Sequence, residues 1–183
     1  DKEEVVESFK IKIDQNLIDC AKDYVHFIQS RQKDLKGKLL VEEKLYLDEI
    51  SDNCYGTADA VIIGKNRLVV CDFKTGKFPV EVKKNKQLMI YGLGALARYG
   101  NESTTLELTI VQPRSFHPDG PIRSWDISAT DLVTWGYESL QKATEACEEK
   151  KPDLNVGDHC RFCNARSICP KLNKLTGGLY GRE

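Results

Sequence analysis

The 183-residue chain has no run of 18 apolar residues, no excess of either charge, and no internal repeat or low-complexity tract. The first absence excludes a transmembrane span, the second a global electrostatic field, and the third a repeat array or a compositionally disordered segment. With 27 basic against 28 acidic residues the formal charge is -1, so any nucleic-acid binding must come from a local patch. Glycine and proline are modest, at 13 and 6, which argues against collagen-like or disordered sequence. No secretory leader is legible: Asp1 to Glu4 are charged and no apolar segment follows, so we expect a reducing, cytoplasmic setting.

What is present is an ordinary globular composition, 40% apolar and 30% charged, in a length that suits one core and is short for two. The odd feature is seven cysteines. Cys160, Cys163 and Cys169 crowd one decapeptide, whereas Cys20, Cys54, Cys71 and Cys147 are scattered. An odd number cannot all pair within one chain, and metal ligation is the expectation rather than a disulfide framework.

Residues 3 to 34 read as a helix, since Val5, Val6, Phe9, Ile13, Leu17, Cys20, Ala21, Tyr24, Val25 and Ile28 recur at three- and four-residue spacings. Leu39 to Leu47, Gly56 to Ile63 and Arg67 to Phe73 read as strands joined by short turns, hence antiparallel. The third is the most apolar stretch and is expected at the centre of the sheet. A helix over 84–99 follows, capped by Gly100-Asn101, then strands Leu106 to Val111 and Ile122 to Ile127, then a helix from about Ala129 to Glu149 with Ser128 as N-cap. The helix between the third and fourth strands is a crossover that can set those two parallel. The expected fold class is α/β: a mixed sheet of about five strands flanked by helices over residues 1–150, with a cysteine-rich appendage over 151–183.

The candidate chemistry lies on the central strands. In Asp72-Phe73-Lys74 the carboxylate and the ammonium share one face, roughly 6.6 Å apart along the strand. Asp59 stands on the neighbouring strand among Ala58, Ala60 and Val61, where an ionised acid needs a cation or hydrogen-bond donors. Two such carboxylates suit Mg2+ or Mn2+, and Lys74 can orient a metal-activated water or stabilise charge on a phosphate. An isolated Asp-x-Lys reads equally well as a strand-end ion pair. Gln87 and Tyr91, four apart on the crossover helix, point where the preceding strand ends. Glu42 or Glu43 offers a further acid, and Glu42 is favoured; solvated surface is the other reading of it. At the C-terminal end, Cys160, Cys163 and Cys169 form a Cys-x2-Cys-x5-Cys knuckle that suits an iron–sulfur cluster or zinc. Either normally takes four ligands; Cys147, Cys20, His159 or a donor outside this chain could be the fourth.

Taken together, Gly56-Thr57-Ala58-Asp59, Asp72-Phe73-Lys74-Thr75-Gly76-Lys77, Gln87 with Tyr91, and the terminal knuckle resemble the RecB-like branch of the PD-(D/E)XK nuclease superfamily. The phage- and prophage-associated exonuclease-like proteins are the most similar group within it, and the likeness runs from about Val41 to Cys169. The resemblance implies a restriction-endonuclease-like fold and a Mg2+- or Mn2+-dependent deoxyribonuclease. Asp59 and Asp72 would hold the metal, Lys74 would assist hydrolysis, and Gln87 and Tyr91 would contact substrate or support the site. It implies a [4Fe-4S] cluster or zinc at the cysteines. It also implies DNA as partner, with phage recombination or replication proteins, in a bacterial or phage-infected cell. Family members usually carry an upstream Cys that completes the cluster and a His that joins the metal. Neither Cys20 nor His26 fits those places, so both are expected to be structural, and an upstream segment is expected to be missing. The alternative is a nucleic-acid-binding recombination-accessory module that cuts weakly or not at all.

Overall fold

Phe9-Lys10-Ile11-Lys12-Ile13 alternates with a period of two, and that local pattern overrides the longer helical spacing around it. In the computed structural model, which describes residues 2–6, 9–151 and 153–177, strands β1 (Lys2–Val6) and β2 (Phe9–Ile13) pair as an antiparallel hairpin. The expected helix from residue 3 is therefore corrected. It begins only at α1 (Gln15–Leu35), where the Asp14 side chain accepts the Leu17 N–H at 2.9 Å as N-cap. Lys36, left-handed at φ 48°, ends it.

The chain divides into two compact units, Asp1–Lys142 and Ala143–Glu183. The first holds β3 (Lys38–Tyr46), β4 (Tyr55–Ile63), β5 (Arg67–Phe73), α2 (Lys86–Tyr99), β6 (Thr105–Val111), β7 (Ile122–Ser128) and α3 (Ala129–Trp135). Strands β3 to β7 form one mixed sheet in sequence order, with β5 and β6 parallel across the α2 crossover and the other neighbours antiparallel. Helices flank both faces. On one, Leu88, Met89 and Ala95 of α2 and Leu132 of α3 bury against Leu68, Val70, Leu106, Leu108 and Ile110. Gly94 allows that approach, because a Cβ there would stand 2.8 Å from Leu45 Cβ. On the other face Ile28 of α1 packs on Ala60, Ile62, Val69 and Cys71. An ionic seam adds to the second contact. Glu107 on β6, buried, accepts from Arg31 of α1 and, at 2.9 Å, from Arg67 Nε of β5.

The expected helix over Ala129 to Glu149 is present as unbroken helical backbone over residues 129–148, but its middle is not α-helical. Ser128 caps α3 as anticipated, but a π-helical turn occupies Gly136–Gln141, and only Lys142–Glu148 returns to α geometry as α4. Gly136 lies tight against Leu93, where a Cβ would be 2.7 Å from Leu93 Cδ2. The second unit is made of short pieces: two 3-10 turns, Asp158–Phe162 and Arg166–Ile168, and α5 (Pro170–Leu175), which buries Leu172. Among the described residues no helix is long and apolar enough to cross a membrane.

Candidate active site

The β3–β4 register is constant from Lys38 opposite Ile63 to Tyr46 opposite Tyr55, yet it skips one pair, Glu42 opposite Asp59. The β4–β5 register stops at Ala60 opposite Cys71, one step short of Asp59 opposite Asp72. Three acids therefore lie in one row across three neighbouring strands, where both ladders fail. The backbone is irregular at the same place. Glu42 has φ 52°, a left-handed conformation that costs a residue with a Cβ about 1–2 kcal/mol. Ala58 and Ala60, two apart, bury on opposite faces of the sheet, so β4 turns over at Asp59.

Asp59, half-buried, accepts the Phe73 N–H on Oδ2 at 2.6 Å, a side-chain link where the strand pairing has ended. Asp72 is the more deeply buried of the pair, 4% exposed. Lys74 Nζ pairs with Asp72 Oδ2 at 2.9 Å, and among the described residues no second donor reaches that buried oxygen. The same ammonium donates to Gln87 Oε1 at 2.9 Å, and Gln87 Nε2 donates to Tyr91 Oη at 2.7 Å. Asp72, Lys74, Gln87 and Tyr91 thus form one connected line from β5 to α2. Asn85 starts α2 at the right place by accepting the Leu88 N–H at 3.1 Å. Gly56 leaves room for the Tyr91 ring, since a Cβ there would stand 2.3 Å from Tyr91 Cε1.

Burial pushes the Asp72 carboxyl up from its ordinary value; Lys74 pulls it back down, and Asp59 adds to the rise. Tyr24 of α1, unassigned by sequence pattern, stacks on Phe73 at 4.9 Å and 23°. Its hydroxyl is buried without a partner, and burial, then Cys71 and the acids Asp59, Asp72 and Glu42, push it up. Among the described residues no three His, Cys, Asp or Glu side chains already converge as a metal cage. Two carboxylates, one with a buried oxygen met by a single lysine, do fit a hard divalent cation that keeps most of its waters. Glu42 is exposed and in line with the pair, while Glu43 instead receives the Tyr99 hydroxyl and Arg98.

The pattern of a family described as "Protein of unknown function (DUF2800)" matches residues 2–179. The chain belongs to that family. Among solved structures it is similar to one titled "Crystal structure of SSO0001", at 19% identity over 86% of this chain and 71% of that one, with a TM-score of 0.43.

In this DUF2800 chain Cys160, Cys163 and Cys169 are free thiols, exposed or partly so, and they do not converge with any third donor among the described residues. Cys160 Sγ accepts the Gly157 N–H at 3.5 Å. Cys20 and Cys71 are buried, as expected of structural thiols, and His26 is exposed on α1. Arg123 is buried and turned away from solvent phosphates, donating to Val80 O, Gly120 O and Gln112 Oε1, with burial lowering its pKa. Gln112 is the residue sequence reasoning missed. A glutamine closing the apolar run Leu108-Thr109-Ile110-Val111 was the available signal.

Proposed function

We propose that this chain is a metal-dependent DNA nuclease with the RecB-like PD-(D/E)XK arrangement of residues, acting as an exonuclease in phage or prophage DNA processing. One observation carries the reading. A buried carboxylate, Asp72, stands in one row with Asp59 and Glu42 and pairs at 2.9 Å with a lysine that Gln87 and Tyr91 hold in place. A row of acids beside a positioned ammonium is what a cation-assisted phosphoryl site requires.

Asp59 and Asp72 would hold the cation, with Glu42 next in the row. When bound, the cation supplies Lewis acidity toward a phosphodiester and an ionisable water. The chain's own residues do the rest. Lys74 places positive charge where the phosphate becomes more negative, and Gln87 Oε1 fixes the direction of its ammonium. Tyr91 fixes Gln87, and the Phe73 N–H fixes Asp59. With Mn2+ present, the protein is expected to degrade labelled DNA, and Lys74→Ala to lower the rate at least about 100-fold at temperatures where the variant is still fully folded. A Lys74→Ala protein as active as the parent overturns the reading.

For the cysteine-bearing unit the proposal is narrower. Cys160, Cys163 and Cys169 are the candidate thiolates for a [4Fe-4S] cluster or zinc, supported by all three being free. Anaerobically purified protein containing neither metal at a stoichiometric level overturns it.

A further inference from the structure

Phe78 is 80% exposed and Phe116 94% exposed, and a solvated phenyl ring forgoes the burial that drives folding. On slack loops such rings would fold down. These two rise from loops tied to one buried residue, Gln112, 1% exposed. Its Nε2 donates to Gly76 O at 2.9 Å and Phe78 O at 2.7 Å, and its Oε1 accepts the Val80 N–H at 3.1 Å, so the β5–α2 loop is held from beneath on both sides of Phe78. The Gln112 backbone holds the β6–β7 loop: its N–H donates to Pro121 O at 2.7 Å and its C=O accepts the Ser115 N–H at 3.2 Å, on both sides of Phe116. Arg123 braces both loops by donating to Val80 O at 3.0 Å and Gly120 O at 2.6 Å. The loops adjoin, since Lys77 of one and Arg114 and Phe116 of the other line one cavity of about 570 Å3. Lys77 directly precedes Phe78, and Arg114 stands two residues before Phe116.

We propose that Phe78 and Phe116 form a two-ring platform that stacks unpaired nucleobases of a single DNA strand, with Lys77 and Arg114 holding its phosphates, so that the preferred substrate is single-stranded or end-frayed DNA. The proposal rests on the nuclease reading of Lys74, four residues before Phe78 on the same loop. Every base has a π-face, so stacking tolerates any sequence, whereas an intact duplex hides all but its terminal faces. The same cavity is lined by Asp14, the N-cap of α1, and by Asp19 and Asp23 of that helix. They repel phosphates and direct the strand over the two loops rather than along the helix.

The test is binding in EDTA, where no cleavage intervenes, of three labelled probes: a mixed-sequence single strand, an abasic strand of equal length, and a blunt duplex. The single strand is expected to bind best. Phe78→Ala and Phe116→Ala should each weaken it by about 5- to 150-fold, leaving the abasic strand and the melting curve unchanged, and Phe78→Tyr should restore binding. Single-strand affinity indifferent to both rings, an equal loss on the abasic strand, or no single-strand binding by the parent overturns the platform. The nuclease reading fails separately. A parent protein that shows ring-dependent binding but cuts nothing with Mn2+ keeps the platform and loses the activity. One that cuts, with binding indifferent to the rings, does the reverse.

Discussion

Asp72 and Glu107 are carboxylates on adjacent parallel strands, each 4% exposed, and their surroundings treat them oppositely. Glu107 receives guanidinium donors from Arg31 and Arg67, and Arg67 also reaches Asp126. Asp72 has one lysine, and that lysine is shared with Gln87. Equal burial thus accompanies unequal satisfaction. Where the chain needs a buried acid only to join α1 to the sheet, it supplies two guanidinium groups; in the acid row it supplies one shared lysine. The contrast separates structure from chemistry more sharply than burial or charge could alone.

Exchanging the two acids for their amides should pull the contrast apart. Asp72→Asn is expected to remove cleavage altogether while raising the melting midpoint at pH 7. Burial holds the folded Asp72 carboxyl above its ordinary value of 3.8. The folded state therefore binds this proton more tightly than the unfolded chain, a contribution to stability that is present in acid and lost as pH rises through the raised value. The midpoint difference between parent and variant should accordingly shrink as pH falls toward 4; a variant less stable than the parent at pH 7 would contradict the account of Asp72. Glu107→Gln is expected to do the reverse. It should cost about 2–3 kcal/mol, lowering the midpoint by about 4–12 °C, with cleavage at temperatures well below the midpoint unchanged. Calorimetry and a nuclease assay on both proteins decide the matter.

Smaller changes should grade the same line of contacts. Gln87→Ala leaves Lys74 without its orienting acceptor and is expected to slow cleavage about 10- to 100-fold. Tyr91→Phe removes only the donor-acceptor support behind Gln87 and is expected to cost less than about 10-fold. Equal effects from the two substitutions would mean that Tyr91 touches substrate itself rather than acting through Gln87.

Much of this was readable before any coordinates. The three central strands, the crossover helix and the parallel pairing followed from apolar runs and turn residues, and the Asp-x-Lys parity placed Lys74 beside Asp72. The N-terminal hairpin was not, because Val5, Phe9 and Ile13 satisfy helical spacing as well as strand alternation, and only pairing decides between them. Glu42 was chosen over Glu43 by strand parity, but its left-handed backbone was invisible, since nothing in the sequence around it marks a departure from strand geometry. Asp59 is only half-buried although Ala58 and Ala60 beside it are fully buried, because small neighbours do not by themselves bury a side chain. Gln112 escaped notice because its partners are backbone atoms of loops more than thirty positions away, on contacts 34 to 36 residues apart in sequence.

The broken rungs at Glu42, Asp59 and Asp72 also set the mechanics of the sheet. From Ile63 opposite Leu68 to Ala60 opposite Cys71 the backbone ladder fixes the strand separation, and beyond the last rung the Asp59 side chain on the Phe73 N–H takes over from backbone pairing between β4 and β5. That end of the sheet is compliant while its centre is stiff. Two carboxylates mounted there can change their spacing by a few tenths of an ångström without losing a rung. Oxygen–ligand distances to Mg2+ and Ca2+ differ by a comparable amount, at about 2.1 and 2.4 Å. Discrimination between ions would then fall to hydration and charge rather than to a rigid hole.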